Sequence, residues 1–182
     1  MDDRRERFTS VALPFLRSVY GAALRFSGRP DVADDVTQET FLRAFRTFDN
    51  FVPGTNSKAW LLTIMRSVLV NRHHYERRHP GTPIDAVTDT AFASVDPAIA
   101  AIVNQVPAPE VEAALRALPD VFREAVVLVD LEELTYEEAA QALDCPVGTL
   151  RSRLFRARRL LFDALYDHAA REGYVAAPEG KS

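Results

Sequence analysis

Arg151, Arg153, Arg156, Arg158 and Arg159 stand within residues 146–162, a stretch with no acidic side chain. A guanidinium is a planar fork of donors that fits a phosphate or the edge of a guanine, so a dense run of arginines points to nucleic-acid contacts rather than to proton transfer or nucleophilic attack. A second basic island fills residues 58–79, where Lys58, Arg66, Arg72, Arg77 and Arg78 stand against Glu76 alone and are joined by three histidines. Between the islands, residues 110–138 carry nine acids and only Arg116 and Arg123. The chain as a whole is acidic, with a formal net charge of −4, so affinity for nucleic acid has to come from the local patches. One charge run is ordinarily a solvated helix face. Two cationic islands inside an acidic chain are harder to reduce to that.

Other chemistries have little to work with. His73 and His74 are adjacent rather than four apart, and the chain holds no zinc, phosphate-loop or nucleophile motif. Cys145 is the single cysteine; it excludes an internal disulfide, offers no metal cluster, and is expected to be a small buried side chain. No apolar run approaches the roughly 18–20 residues of a membrane span, and the charged start does not lead into a signal-peptide core. The expectation is a cytoplasmic protein that is not an enzyme, with no cofactor, no metal, no membrane insertion and no small-molecule substrate.

The elements that position these residues read as helices, in keeping with 47% hydrophobic residues, 26% charged and only seven glycines. Phe8, Val11, Ala12, Phe15, Val19, Ala22, Ala23 and Phe26 recur at three- and four-residue steps on one stripe. Pro14 interrupts it, which leaves either a helix start near residues 9–13 or a kink. After Gly28-Arg-Pro, Asp31 is expected to cap a second helix with Val32, Val36, Thr40, Phe41, Ala44 and Phe48 inward and Asp34, Asp35, Gln38, Glu39 and Arg43 outward. The loop before the next helix suggests Ser57 as its N-cap, and residues 58–77 would continue the helix with Trp60, Leu61, Ile64, Val68 and Leu69 inward. Residues 79–108 lose all clear period amid prolines and read as a flexible linker, with at most a short helical turn near residues 98–103.

Beyond the linker, helices are expected over residues 110–117 and 120–130, then over 135–143, where Thr135 and Glu138 have capping-box spacing, and over 149–168. A helix, a short turn and a basic second helix have the form of a helix-turn-helix DNA reader. On a helical wheel, Leu150, Leu154, Ala157 and Leu161 share a narrow arc that must face a core. The opposite arc holds Arg151, Ser152, Phe155, Arg156 and Arg159, with Arg153 beside them. Such a face suits a major groove, arginine reading guanine or holding phosphate and Phe155 meeting a thymine methyl or a sugar. The expected fold class is all-α: two small helical domains, 1–78 and 109–170, joined by a flexible linker, the second containing the helix-turn-helix, with a tail over 171–182.

Thr135-Tyr-Glu-Glu-Ala-Ala followed by Asp144-Cys-Pro-Val-Gly-Thr-Leu-Arg-Ser-Arg-Leu-Phe-Arg-Ala-Arg resembles the promoter-reading domain of extracytoplasmic-function (ECF) sigma factors of bacterial RNA polymerase. Asp34-Asp-Val-Thr-Gln-Glu-Thr-Phe-Leu-Arg-Ala-Phe resembles the same family's core-polymerase-binding helix, and Lys58-Ala-Trp-Leu with the rest of its helix resembles the segment that opens the minus-10 element. The resemblance implies a chain that joins core RNA polymerase through Asp34, Asp35, Gln38, Glu39 and Arg43. It would read minus-35 promoter DNA through Arg151, Ser152, Arg153, Phe155, Arg156 and Arg159. At minus-10 it would engage DNA through Asn56, Ser57, Lys58, Trp60, Ser67, Asn71, His74, Arg77 and Arg78, and an anti-sigma factor would silence it. For Trp60, stacking on a base competes with packing in the core, which its place on the apolar stripe favours. Two departures bear on minus-10 preference: the family commonly has Arg at the position of Thr63 and Asn at that of Ser67. The linker resembles the family's connector, where Asp85, Asp89 and Asp96 would lie in the path of RNA. The alternative is a stand-alone helix-turn-helix transcriptional regulator, which would leave the basic island at 58–79 idle.

Overall fold

The computed structural model describes residues 2–76 and 108–172. Every regular element in them is helical. The amino-terminal half contains α1 (Asp2–Ala12), a 3-10 turn (Leu13–Phe15), α2 (Leu16–Ser27), α3 (Pro30–Arg46), a second 3-10 turn (Phe48–Asn50) and α4 (Ser57–Glu76). The carboxy-terminal half contains α5 (Ala108–Ala117), α6 (Asp120–Val126), which widens into a π turn (Val127–Leu131), then α7 (Tyr136–Ala142) and α8 (Val147–Arg171). The all-α, two-part reading holds. The body of the expected linker with its helical turn near 98–103, its three aspartates, and the tail from residue 173 lie outside the described residues.

Of the two alternatives at Pro14, the helix start near residues 9–13 is not taken, since α1 already runs from Asp2; the helical path is instead interrupted there by one 3-10 turn between α1 and α2, because proline has no N–H to donate and its ring crowds the preceding turn. α2 ends at Gly28, whose φ of 68° lets its N–H close back on the Leu24 carbonyl at 2.8 Å. α1 reaches back well before Phe8, held by Arg4, which donates to the Phe45 carbonyl at 2.8 Å and pairs with Asp49 at 3.1 Å.

Both expected caps in this half are corrected. α3 starts at Pro30 with Arg29 in the N-cap position, not Asp31; proline suits the first helical residue because its φ is preset and its missing N–H is one that would be orphaned anyway. Asp31 instead sits in the first turn, where a carboxylate complements the helix dipole and pairs with Arg29. In α4 the cap is Asn56, whose Oδ1 accepts from the Ala59 N–H at 3.2 Å, and Ser57 is already helical.

The core stripes are largely as read, with a difference in α4. Leu61, Val68 and Leu69 are buried and Trp60 and Ile64 half-buried; the fully buried Met65, unnamed in that reading, lies within the same arc, whereas the fully buried Leu62 lies beyond its margin. α4 packs on α2 and α3 and also on α7 of the other half, so it is covered on more than one side. Buried Thr37 and Thr40 donate their hydroxyls to the carbonyls of Ala33 (2.7 Å) and Val36 (2.6 Å), which leaves neither unpaired. Phe8 lies edge-on to Phe45 and Phe48 at 5.2 and 5.4 Å, and Phe51 and Trp60 extend this cluster. One continuous buried cluster runs through both halves.

α7 opens on the expected capping box: Glu138 N–H donates to Thr135 Oγ1 at 3.2 Å and Thr135 N–H donates to the Glu138 carboxylate at 2.9 Å. It closes on a Schellman motif, in which the Cys145 N–H reaches the Ala140 carbonyl at 3.0 Å and the Asp144 N–H reaches Gln141 at 3.2 Å. Asp144 carries the left-handed residue of that motif, at φ 50°. An L-residue there costs about 1–2 kcal/mol, less for Asp, while glycine loosens the unfolded chain by about 0.4–1 kcal/mol. Asp144→Gly is therefore expected to stabilise the protein by about 0.5 kcal/mol, read as a raised urea midpoint at unchanged slope; a lowered midpoint would mean that the aspartate side chain itself supports the turn.

Candidate nucleic-acid interface

α8 begins at Val147, earlier than the expected Thr149, and lays Leu150, Leu154, Ala157, Leu161 and Leu165 into the core. On its other side Arg151, Phe155 and Arg159 recur at four-residue steps on an exposed strip, Phe155 at 48% exposure, with Ser152, Arg153 and Arg156 half-buried on the flanks. The five arginines are not equivalent. Arg158 is locked to Asp130 through two bonds of 2.6 and 3.1 Å, with 12% of its side chain exposed. The Asp130 hydrogen bond raises its pKa further, and its role is to hold the helix to the π turn. Arg151 lies over the ring of Tyr136 at 5.6 Å, a cation–π contact made while the residue stays exposed. Arg159 pairs with Asp163 at 3.2 Å in a solvent-exposed bridge. Arg156 forms no hydrogen bond or ion pair among the described residues. Ser152 donates its hydroxyl to the Thr149 carbonyl at 2.9 Å, so its oxygen serves the first turn.

In the amino-terminal half, Asn56 is exposed at the head of α4, while Ser57 and Lys58 are half-buried next to it. Trp60 packs against Phe51 at 4.9 Å and Phe48 at 6.3 Å, which is the packing alternative for this ring. Ser67 and Asn71 are exposed further along α4. Thr63 donates its hydroxyl to the Ala59 carbonyl at 2.8 Å, so it projects little toward a ligand. His74 lies in α4 with its side chain outside the description, and Arg77 and Arg78 lie outside the described residues. The basic island is partly neutralised in place: Arg66 pairs with Glu124 at 3.3 Å and Arg72 with Asp35 at 3.0 Å.

The acidic face of α3 keeps Asp34, Asp35 and Gln38 exposed, with Glu39 and Arg43 paired to each other at 2.6 Å. Beside it runs a groove of about 1180 Å³ between α1 and α3, bordered by Leu13, Leu16, Phe41, Leu42 and Gln38. Charge counting missed this groove. Its signal in the sequence was three leucines that fit no core stripe, and Leu13, Leu16 and Leu42 are indeed 48%, 46% and 52% exposed. Cys145 is half-buried rather than buried; burial pushes its thiol up against the pull of Arg153 and Arg66, which disfavours the reactive thiolate.

Residues 13–79 match the family described as Sigma-70 region 2, and residues 109–161 match Sigma-70, region 4. The chain is 38% identical over 162 residues to the ECF RNA polymerase sigma factor EcfG of Rhodopseudomonas palustris, covering 89% of this chain and 85% of that one. It belongs to the ECF sigma factors. The sigma factor is also 32% identical to the RNA polymerase sigma-H factor of Pseudomonas aeruginosa, over 88% of its own length and 87% of the relative's. Among solved structures it is similar to the sigma factor RpoE in complex with the anti-sigma factor NepR from Bartonella quintana, at 28% identity and a TM-score of 0.67, covering 91% of this chain and 98% of that one. Region 2 of the sigma factor thus spans the first 3-10 turn through α4, with α1 preceding it, and region 4 spans α5 through most of α8.

Proposed function

We propose that this ECF sigma factor is a promoter-specificity subunit of RNA polymerase. Two working units, 1–78 and 109–170, divide the task. The α3 face with Asp34, Asp35, Gln38, Glu39 and Arg43 docks on core enzyme, where exposed carboxylates steer association and the neighbouring apolar groove supplies area to bury. Arg151, Arg153, Phe155, Arg156 and Arg159 on α8 read minus-35 DNA in the major groove, with Ser152 at the edge of that surface. Asn56, Ser57 and Lys58 at the head of α4, with Ser67, Asn71 and the basic end of the helix, hold the unpaired minus-10 strand. Captured unpaired bases offset an unstacking cost of a few kcal/mol, so melting needs no nucleotide hydrolysis by the sigma factor, which acts by binding and not as an enzyme.

The observation that carries the reading is an arginine-flanked Phe155 left exposed on a helix whose opposite side is locked by leucines. The sigma factor works in the cytoplasm, where its polymerase and DNA are; among the described residues no helix is long and apolar enough to cross a membrane. An anti-sigma factor holds it silent by covering the polymerase-binding faces, as suggested by the relative solved with NepR. Run-off transcription with purified core polymerase on a genomic library tests the proposal: transcripts starting downstream of a shared pair of spaced elements are expected. A palindromic, dimeric footprint formed without polymerase would replace it with a stand-alone regulator.

A further inference from the structure

The match to region 2 begins at residue 13, so α1 lies ahead of it, yet α1 is built into the same helical body. Arg4 donates to the Phe45 carbonyl and pairs with Asp49. Phe8, at 8% exposure, stands edge-on to Phe41, Phe45 and Phe48. Between these two anchors in sequence comes Arg7, an exposed residue whose guanidinium lies over the Phe48 ring at 5.8 Å. That guanidinium forms no hydrogen bond or ion pair among the described residues, even though Asp3 stands four residues earlier on the same helix. The ring beneath it leads to the loop before α4: Phe48 is stacked on Phe51, with centroids 5.9 Å apart and planes 7° from parallel, and Phe51 packs on Trp60 at 4.9 Å. Phe51 opens the loop 51–56, which ends on Asn56, the cap of α4. Gly54 turns this loop at φ 86° with open space beside it, and Val52 is 62% exposed. A lone guanidinium on a helix is ordinarily a solvated side chain. This one is carried by an anchored helix and stands one stacked pair of rings from the segment assigned above to unpaired DNA. Two cations of α4 itself, Arg66 and Arg72, are already held by acids.

We propose that Arg7 is a further DNA contact of this sigma factor: it binds a backbone phosphate of the unpaired minus-10 strand, beside the nucleotide held at the head of α4, and α1 thereby extends the strand-binding surface beyond region 2. A strand whose base is held at the protein surface brings its neighbouring phosphates there too, and a guanidinium is the matching donor. The proposal rests on the reading that Asn56, Ser57 and Lys58 hold that strand. It goes beyond that reading by adding a residue outside the matched region and giving it one task, which is to position the backbone and not to choose a base.

The test uses holoenzyme assembled from the full chain with saturating core polymerase, and a promoter fragment from the run-off set whose minus-10 strand is left unpaired. Binding is titrated between about 50 and 200 mM salt. Arg7→Ala is expected to weaken it roughly two- to fivefold, the worth of one exposed charge pair. It is also expected to lower the salt slope by about 0.7, the share of one phosphate on a single strand. Arg7→Lys should keep most of that slope, because a point charge still neutralises a phosphate. Arg17→Ala removes the same charge from an exposed position on α2 and should change neither quantity. A methylphosphonate moved along the unpaired strand locates the contact: at one position it should weaken wild type and leave Arg7→Ala unmoved. Equal effects on both proteins at every position, or a weakened Arg7→Ala that keeps the wild-type salt slope, would overturn the contact and leave Arg7 a packing residue. Asn56→Ala separates the two claims. If Asn56→Ala binds the opened fragment more weakly while Arg7→Ala binds it like wild type, the Arg7 contact alone is removed. If both bind it like wild type, strand capture at the head of α4 fails and the Arg7 contact fails with it.

Discussion

Arg156→Ala is expected to cut minus-35-dependent initiation by roughly 5- to 150-fold, the equivalent of about 1–3 kcal/mol, while core-polymerase binding stays intact. The size follows from how the structure sorts the arginines of α8. Arg156 forms no hydrogen bond or ion pair among the described residues, so its guanidinium has no internal partner to give up when it meets a base. The helix also holds it in place: Leu154 and Ala157, on either side of it in sequence, are buried at 1% and 0% exposure. Arg159 must first leave Asp163 and lies at the solvent edge. Arg159→Ala should weaken binding uniformly across sequences and lower the salt slope by about one. Arg158→Ala should do neither and should instead loosen the fold, because that side chain ties α8 to Asp130. The comparison is made by run-off transcription and gel-shift titration on a promoter with and without its minus-35 element. Loss of polymerase binding in the Arg156 variant, or equal effects for all three substitutions, would remove base reading from α8.

Where the sequence was legible, a local rule sufficed. The burial stripe of α8 follows from helical period alone, the Thr135–Glu138 box from a spacing of three, and the break at Pro14 from the missing N–H. The two misplaced caps show a local rule losing to a neighbour: Asp31 and Ser57 are good cap residues, but Pro30 and Asn56 stand just upstream and begin the helix earlier. Partnering over distance was not legible at all. Arg66 and Arg72 counted toward a free cationic surface, yet their partners lie 58 and 37 residues away, and no charge count along the chain can foresee which acid folding brings across. For the same reason the groove beside α3 was invisible as a groove, although its off-stripe leucines were in plain view.

The strongest case of long-range burial is Leu62, which leads to the prediction of largest effect on stability. A wheel centred on Leu61, Val68 and Leu69 leaves Leu62 at the margin, and its truncation would then cost little. The structure leaves it no exposed surface, on a helix that packs against α2 and α3 on its own side and α7 on the other. Leu62→Ala is expected to cost about 2–5 kcal/mol, lost transfer energy plus the cavity left behind, a large share of the roughly 5–15 kcal/mol that holds a domain folded. Leu160→Ala, at a side chain 45% exposed on α8, is expected to stay within about 0.5 kcal/mol. Urea unfolding of the full chain measures both. If the Leu62 variant unfolds no earlier than the Leu160 variant, α4 is not enclosed from both sides, and the continuous buried cluster through both halves does not hold in solution.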